Sequence, residues 1–331
     1  MRDFGSYYMN YPDAFEMLHC IDFRKSEQDL EEICTSASCH IYDYGLMSPV
    51  CQGTRSAKFL LFPCLLLPMV LNATYWIPHG DELIDLPNEN SRVMAKKIAG
   101  SASMDNSDVR VVISPHGLTL SRNIGIIMTE NFAGNFRVAT RIIRGKYMND
   151  GKLAGIIADS SPGIVERVTF ATGSGPKSTF PIDFGTLIPL QFFPGGDVVM
   201  MGQPRFNRRE ELVEFGSVLF KILDEYDRRV SMVFSADMAH THAADGPYGY
   251  SPAAKVYDDA VQDMFRLNSF SRSIEIPESI VSEARPDSYW NLLIMLGFLK
   301  AGGIRMHMEY YYVEHYFGML FAHSQPYLST R

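Results

Sequence analysis

Two copies of one tripeptide place histidines after short apolar segments. Pro78-His79-Gly80 follows the segment 73–77, and Pro115-His116-Gly117 follows the segment 109–114. Apolar segments of this length, rich in β-branched residues and ended by Pro and Gly, are typical of buried strands. In an open α/β sheet, ligands bind at the carboxyl ends of the strands. A single histidine at a strand end is more often a hydrogen-bonded turn residue, but the repeated context makes a metal site equally compatible with the pattern. Two imidazoles supply half of such a site, which still needs a carboxylate.

A third pair of histidines follows another predicted strand. His240 and His242 come shortly after the apolar segment Val230–Ser235, and a loop rich in Gly and Pro, 243–250, follows them. Gly and Pro at this density predict a shaped loop rather than a helix. A free imidazole beside a metal is suited to general acid–base catalysis, because its pKa lies near neutrality. The pattern alone equally allows His240 to be bonded to backbone and His242 to be exposed.

The composition of the chain indicates which kinds of binding partner and which kinds of structural support are not expected. The chain has 331 residues, of which 46% are hydrophobic and 21% charged, and its formal net charge is −8. It has no basic stripe, so we expect no nucleic-acid partner, and no apolar run reaches the roughly 20 residues that a membrane span needs. All five cysteines lie before residue 65 and none forms a CxxC pair. We therefore expect neither a disulfide framework nor a zinc ribbon, and a cytoplasmic location.

Residues 1–72 differ from the rest of the chain. They carry every cysteine and show no sustained helical or strand period. We expect an N-terminal extension that is poorly structured or results from a misassigned start, with Met69 as the preferred true start. The apolar run 59–71 resembles the core of a signal peptide if translation begins at Met47. The intact mass of the native protein would test the preferred interpretation.

From residue 73 onward, strand patterns alternate with helix patterns. Strands are expected at 73–78, 109–114, 124–128, 137–143, 165–171, 197–201 and 230–235, with an aromatic β-like stretch at 305–322. Helices are expected at 88–100, 149–158, 208–228, 253–267 and 287–300. This alternation predicts an α/β sheet with helices on its faces. No composition break after residue 73 marks a second domain, so 73–331 is predicted to be a single domain.

Four segments within residues 73–325 resemble the class III extradiol ring-cleavage dioxygenases of the LigB-type superfamily. They are 77–82, 112–117, 235–250 and 285–297, and their order and spacing also fit. The third segment is the most specific, because it begins Ser-Ala-Asp-Met-Ala-His and ends Gly-Pro-Tyr-Gly-Tyr. The resemblance implies a central mixed sheet flanked by helices, with a metal site at the strand ends, and a homodimer.

The resemblance also implies a mononuclear Fe(II) held by two histidines and one carboxylate, with open positions for substrate and O2. His79 and His116 match the histidine ligands. The carboxylate is Asp287, which is closest in register, or Glu283 one turn upstream, and either is also compatible with a plain helix-start residue. Zn(II) suits the same ligands. His240 would be the catalytic proton carrier, and the substrate a catechol-like or aminophenol-like aromatic.

One position departs from the family pattern. The segment 183–190 resembles the family's Asp-His-Gly-Thr stretch, but Phe184 stands where the family has a histidine tied to substrate binding or proton transfer. Phenylalanine cannot titrate, so either His240 alone handles the proton, His242 substitutes, the substrate differs, or ring cleavage is lost. Phe184, Tyr248 and His242 are the candidate substrate-binding residues.

The alternatives to a dioxygenase are a zinc-binding relative and an inactive relative of the MEMO-like branch that serves as a small-molecule or protein-binding scaffold. Four arginines in or near predicted strands could bind a substrate carboxylate: Arg122, Arg137, Arg141 and Arg144. Arginines in such positions are usually exposed to solvent and have no such role.

Overall fold

Two β-sheets form the framework of the computed structural model, which describes residues 71–169, 178–206 and 208–324. The predicted extension, 1–72, lies outside the described residues except for its last two. The interpretations placed on it, including the start at Met69, therefore stay predictions. Leu71 and Asn72 belong to the first strand, which begins two residues earlier than the sequence pattern indicates.

Eight strands form the large sheet in the order β10-β11-β1-β9-β2-β8-β3-β6. Its strands are β1 (Leu71–Ile77), β2 (Val109–Ser114), β3 (Ile124–Ile127), β6 (Val165–Val168), β8 (Asp197–Gly202), β9 (Val230–Ser235), β10 (Met306–Glu314) and β11 (Phe317–Ser324). The four central strands, β1, β9, β2 and β8, are parallel, whereas β11 and β3 flank them in antiparallel pairs. The sheet is therefore mixed, which confirms the predicted fold class.

A smaller sheet has the order β5-β4-β7, with β4 at Asn131–Val138, β5 at Arg141–Met148 and β7 at Thr179–Pro181. The helices of the described residues are α1 (Glu82–Asp85), α2 (Glu89–Ala102), α3 (Gly151–Ser160), α4 (Phe184–Leu190), α5 (Arg209–Asp224), α6 (Ala253–Leu267), α7 (Glu278–Ala284) and α8 (Tyr289–Gly302), with a 3-10 turn at Ser271–Glu275. Among these, no helix combines the length and the apolar character that a bilayer crossing requires.

The central strands are buried on both faces, which explains their continuous apolar runs. Along β2, Val111 and Ile113 pack into one core while Val112 packs into the other. The alternation follows the two-residue period of a strand. The first core lies under α3, α5, α6 and α8, and the second under α2, α4 and the small sheet.

Helices α5 and α8 approach closely because each carries a glycine at the crossing. A Cβ at Gly216 would collide with the backbone carbonyl of Ile294, and one at Gly297 with that of Val213. This contact fixes α8 against the sheet, and with it the segment that immediately precedes α8.

The main corrections to the predicted elements concern hairpins. The strand expected at 137–143 is the tip of the β4–β5 hairpin, where Ala139 adopts a positive φ of 46°. The residues there are β-formers without a Gly or Asn turn signal, so the sequence pattern runs through the turn. The aromatic stretch 305–322 is likewise two strands, which turn at His315 with φ of 51°.

Candidate metal centre

The three histidine-bearing segments meet at one edge of the large sheet. β1 and β2 both pair in parallel with β9, so the carboxyl ends of all three strands lie side by side. His79 lies two residues beyond the end of β1, and His116 two residues beyond the end of β2. The edge that the sequence pattern indicated is thus the place where these imidazoles converge.

One carboxylate joins the two imidazoles. The Nε2 atom of His79 lies 2.9 Å from Oδ2 of Asp287, and Nε2 of His116 lies 3.1 Å from the same oxygen. The two Nε2 atoms are 3.0 Å apart. These three atoms form a small triangle built from residues far apart in the sequence.

The triangle has the size that a cation requires. Ligand bonds of about 2.1 Å place the ligand atoms of one ion about 3.0 to 3.4 Å apart. The separations of 2.9 to 3.1 Å are therefore close enough for one ion to contact all three atoms. Two imidazole nitrogens and one carboxylate oxygen also form the donor set of non-haem Fe(II) sites.

The buried ring of His79 is held in one orientation by Ser235. The Ser235 hydroxyl donates its hydrogen to the carbonyl of Gly185 at 2.5 Å, so it can only accept from Nδ1–H of His79, 2.9 Å away. A neutral His79 therefore keeps its proton on Nδ1 and directs the lone pair of Nε2 toward Asp287 and His116. Such a partner on the far ring nitrogen is typical of metal-binding histidines.

Two carboxylates surround His79. Its side chain is 1% exposed, and its Nε2 lies 2.9 Å from Asp287 and 3.4 Å from Asp237. Burial lowers the pKa of His79, but the charges of Asp237 and Asp287 outweigh burial and raise this pKa to about 9. The metal-free site therefore attracts a proton where a cation would bind.

Asp287 is positioned by the N-terminal end of α8. The amide side chain of Asn291, one turn along, donates to the carbonyls of Ser235 at 2.8 Å and Ile113 at 3.3 Å, which ties α8 to the ends of β9 and β2. The backbone N–H of Asp237 donates to Oδ1 of Asp287 at 3.2 Å. Burial raises the pKa of Asp287, but the charge on His79 and hydrogen bonds from both histidines lower it well below its usual range.

Asp237 also lies in this site, although the sequence pattern gave it no role. Its Oδ1 accepts the backbone N–H of His79 at 3.0 Å. Burial raises the pKa of Asp237, and the neighbouring Asp287 charge adds to this effect although His79 opposes it. Together with His240 and Asp287 it forms a second group of potential ligand atoms, all within 4.8 Å of one another. The sequence did offer one signal for this residue, because Asp237 lies between the end of β9 and His240.

His240 lies at the same site, and no residue in the described part of the chain forms a hydrogen bond with its Nε2. Its Nδ1 lies 2.9 Å from the carbonyl of Met238, which can only accept, so a neutral His240 carries its proton on Nδ1. The ring stacks on Phe317 at 5.6 Å between centroids. Its Nε2 is therefore an acceptor, and the ring has a fixed orientation.

Phe184, at the start of α4, lies against the two histidines of the triangle. Its ring packs on the ring of His116 with a centroid distance of 4.2 Å and stacks on Phe136 at 5.3 Å. Phe184 therefore makes an apolar wall beside His116, at a position that offers no proton.

Two of the predicted site residues are not brought to the centre. Glu283, the alternative carboxylate, faces Ser251, whose hydroxyl donates to it at 3.3 Å. His242 pairs with the buried Asp258 at 2.8 Å instead of facing the histidines. Asp258 lies on α6, and nothing in the sequence near His242 indicated this partner. Asp287 is thus the carboxylate that the structure places with the two histidines.

A cavity of about 570 Å³ adjoins the triangle. Its walls combine ligand, aromatic and basic side chains: His116, His240, Asp287, Phe206, Tyr248, Tyr289, Trp290, Arg205, Arg209 and Arg285. Tyr248, a candidate substrate-binding residue, lines this cavity, whereas Arg122, Arg137, Arg141 and Arg144 do not.

Comparisons with known proteins agree with this architecture. An uncharacterized protein, JW3007 from Escherichia coli K12, has a solved structure that superposes with a TM-score of 0.55 at 16% identity, covering 76% of this chain and 99% of that one. At this identity the match shows the fold alone.

A curated relative, Protein CA_C1420 from Clostridium acetobutylicum, is 25% identical over 255 residues, which are 70% of this chain and 53% of the relative. The chain thus spans about half the length of that relative. The model of the family described as the catalytic LigB subunit of aromatic ring-opening dioxygenase matches residues 74–322. Because this match covers most of the chain and includes every residue of the triangle, the protein belongs to the LigB family.

Proposed function

We propose that the protein binds Fe(II) through His79, His116 and Asp287 and cleaves a catechol-like or aminophenol-like ring with O2. The observation that carries this proposal is the triangle of two imidazole nitrogens and one carboxylate oxygen with sides of 2.9 to 3.1 Å. This donor set is the one that non-haem Fe(II) sites use. Bound Fe(II) would supply coordination sites for the two ring substituents and for O2.

His240 is the proposed general base. Its Nδ1 is committed to the Met238 carbonyl, so its Nε2 can accept the proton of a substrate hydroxyl and later return it. Stacking on Phe317 holds the ring in place for this transfer. Phe184 cannot carry a proton and His242 is paired with Asp258, and both facts support His240 as the proposed proton carrier.

The cavity walls support an aromatic substrate. Tyr289, Trp290, Phe206 and Tyr248 line the cavity beside the metal ligands. Aromatic rings pack favourably in offset or edge-to-face contacts, so these side chains can orient a planar ring. A volume of about 570 Å³ accommodates a single substituted ring.

Anaerobic loading with Fe(II), followed by O2 consumption and absorbance scans with a panel of catechols and 2-aminophenol, tests the proposal. We expect O2 uptake with formation of a yellow ring-opened product. His116→Ala should abolish both uptake and iron binding, whereas His240→Gln should abolish uptake and retain iron. Loading without uptake across the panel would contradict ring cleavage.

Phe184 favours a second candidate, a zinc-binding or inactive relative that serves as a binding scaffold. In that case the ligand triangle is retained and the proton-transfer machinery is reduced. Tight zinc retention together with absent O2 uptake would support this candidate. The expected homodimer and cytoplasmic location stay predictions from the sequence.

A further inference from the structure

Three arginines line the cavity beside the metal centre: Arg205, Arg209 and Arg285. Arg209 is committed to the fold, since its guanidinium donates to the carbonyls of Ile274 and Ile276 at 2.9 and 2.8 Å and lies over the ring of Tyr289. Arg205 and Arg285 differ, because neither forms a salt bridge with any acidic side chain in the described part of the chain. Their guanidinium groups have donors to spare.

The two arginines line the same cavity and are each held by a different neighbouring residue. Arg205 donates to the carbonyl of Pro115, the residue before His116, at 3.3 Å. Arg285 lies over the ring of Tyr248, 5.3 Å from its centroid, and Tyr248 in turn lies 6.1 Å from the ring of His240. Arg205 is thus anchored beside His116, and Arg285 is anchored to a tyrosine that lies near His240.

The backbone explains why Arg285 shares the cavity with Asp287. Arg285 ends α7 in the left-handed conformation with φ of 51°, and Pro286 separates it from Asp287. The chain therefore leaves α7 in a sharp turn, and both side chains line the cavity while Glu283 faces Ser251.

The charge of the cavity is opposite to that of the whole chain. The acidic side chains that line it are Asp287, which is occupied with the histidines, and Glu278 at the start of α7. Three guanidinium groups and these two carboxylates line the cavity of a chain whose net charge is −8. A local basic surface inside an acidic protein attracts a small anion, while the overall charge disfavours a large polyanion.

We propose that Arg205 and Arg285 form an anion subsite that binds a carboxylate or phosphate substituent of the aromatic substrate. Guanidinium groups bind both anions through paired N–H donors. This inference rests on the proposed function for the identity of the ring, but the subsite itself requires neither metal nor turnover. The substituent would hold the ring against the aromatic walls while its hydroxyl groups face the histidines.

The test compares ligands that differ in one charge on the metal-free protein by calorimetry: 4-hydroxybenzoate, its neutral amide 4-hydroxybenzamide, and phenyl phosphate. We expect at least one anion to bind about tenfold or more tightly than the amide, which corresponds to one or two charge-assisted hydrogen bonds. A preference for phenyl phosphate over the benzoate would identify phosphate as the substituent, and the reverse a carboxylate. Equal affinity for all three ligands would overturn the proposal.

Variants test whether Arg205 and Arg285 cause the preference for anionic ligands over the neutral amide. Arg205→Gln with Arg285→Gln should reduce the anion-to-amide ratio to near one, and Arg205→Lys should retain part of it. Arg305→Gln is the matched control, because this exposed arginine precedes β10 at the opposite edge of the sheet. A ratio that survives in the double variant would overturn the assignment.

Oxygen uptake separates this inference from the proposed function. If the anion preference depends on the two arginines but no catechol is consumed, the proposed function fails and the subsite stands. If neutral and anionic catechols are consumed with equal efficiency, the subsite fails and the proposed function stands.

Discussion

The two edges of the large sheet each bury a cluster of charged residues, and the clusters differ in how their charge is balanced. At the amino ends of the strands, Asp105 accepts from Arg110 at 2.8 Å and from the hydroxyls of Ser107 and Ser231, both at 2.5 Å. At the carboxyl ends, Asp237 and Asp287 pair with histidines, and within the described part of the chain neither forms a salt bridge with a lysine or an arginine.

This difference separates a structural cluster from a binding site. Burial raises the pKa of Asp105, but the hydrogen bonds of Ser107 and Ser231 and the charge of Arg110 outweigh burial and lower it. That cluster is complete without a ligand. The other cluster becomes complete only when a proton or a metal ion supplies positive charge, which is the physical signature of a site that binds one.

The largest expected effect comes from breaking the complete cluster. Asp105→Ala leaves the guanidinium of Arg110 buried without its carboxylate, which should destabilise the protein by about 3–5 kcal/mol. Chemical denaturation measures this change. The folded variant should still bind one metal ion per chain with unchanged affinity, and a loss of metal affinity would show that the two edges are not independent.

The next effect comes from removing the carboxylate of the metal centre. Asp287→Asn should weaken Fe(II) binding at least about 100-fold, because it removes a charged ligand from a buried site. Glu283→Gln is the matched control, and it should leave the affinity unchanged. Competition with a chelator measures both variants. A loss of affinity in the Glu283 variant alone would reverse the ligand assignment.

A smaller effect is expected from the residue that orients a ligand. Ser235→Ala removes the acceptor of Nδ1–H of His79, so the ring loses its fixed tautomer and metal affinity should fall about tenfold. Ser273→Ala removes another buried hydroxyl, one that donates to Phe270 far from the histidines. Equal metal affinities in the two variants would argue against an orienting role for Ser235.

The smallest effect concerns a further acid at the same edge. Burial raises the pKa of Glu82 to about 7, and the nearby charges of Asp81, Glu314 and Asp237 add to this although a backbone hydrogen bond opposes it. A raised pKa means that Glu82 contributes stability at pH values below about 4.5, which is lost as the pH rises through 7.

Glu82→Gln should therefore be more stable than the natural protein at pH 8 and about equally stable at pH 5. Denaturation midpoints at the two pH values measure the difference. The opposite result, a natural protein that gains stability relative to the variant as the pH rises, would mean that the pKa of Glu82 is lowered. Burial and the neighbouring carboxylates would then not determine this pKa.

Short sequence patterns were sufficient to predict where the two histidines of the candidate metal centre lie. His79 and His116 each follow a buried strand and a proline, so their position at a sheet edge follows from strand periodicity and turn chemistry. The choice between Asp287 and Glu283 could not be made this way. It depends on the left-handed turn at Arg285 and on the docking of α8, which are properties of the packed chain.

Two further features lay beyond local patterns. His242 follows a strand as His79 does, but its partner Asp258 comes from α6, and a partner 16 residues away leaves no local signal. The small sheet was missed because its β4–β5 turn places a non-glycine residue, Ala139, at positive φ. Such turns are stabilised by their surroundings rather than by the turn residue itself.

The spread of the metal ligands along the chain sets an order on biosynthesis. Asp287 is 208 residues after His79 and 171 after His116, so the ribosome completes both histidines long before the carboxylate exists. The nascent chain up to that point offers two imidazoles without their anionic partner. The proposed metal site can therefore form only after the segment that carries Asp287 has been made and α8 has docked.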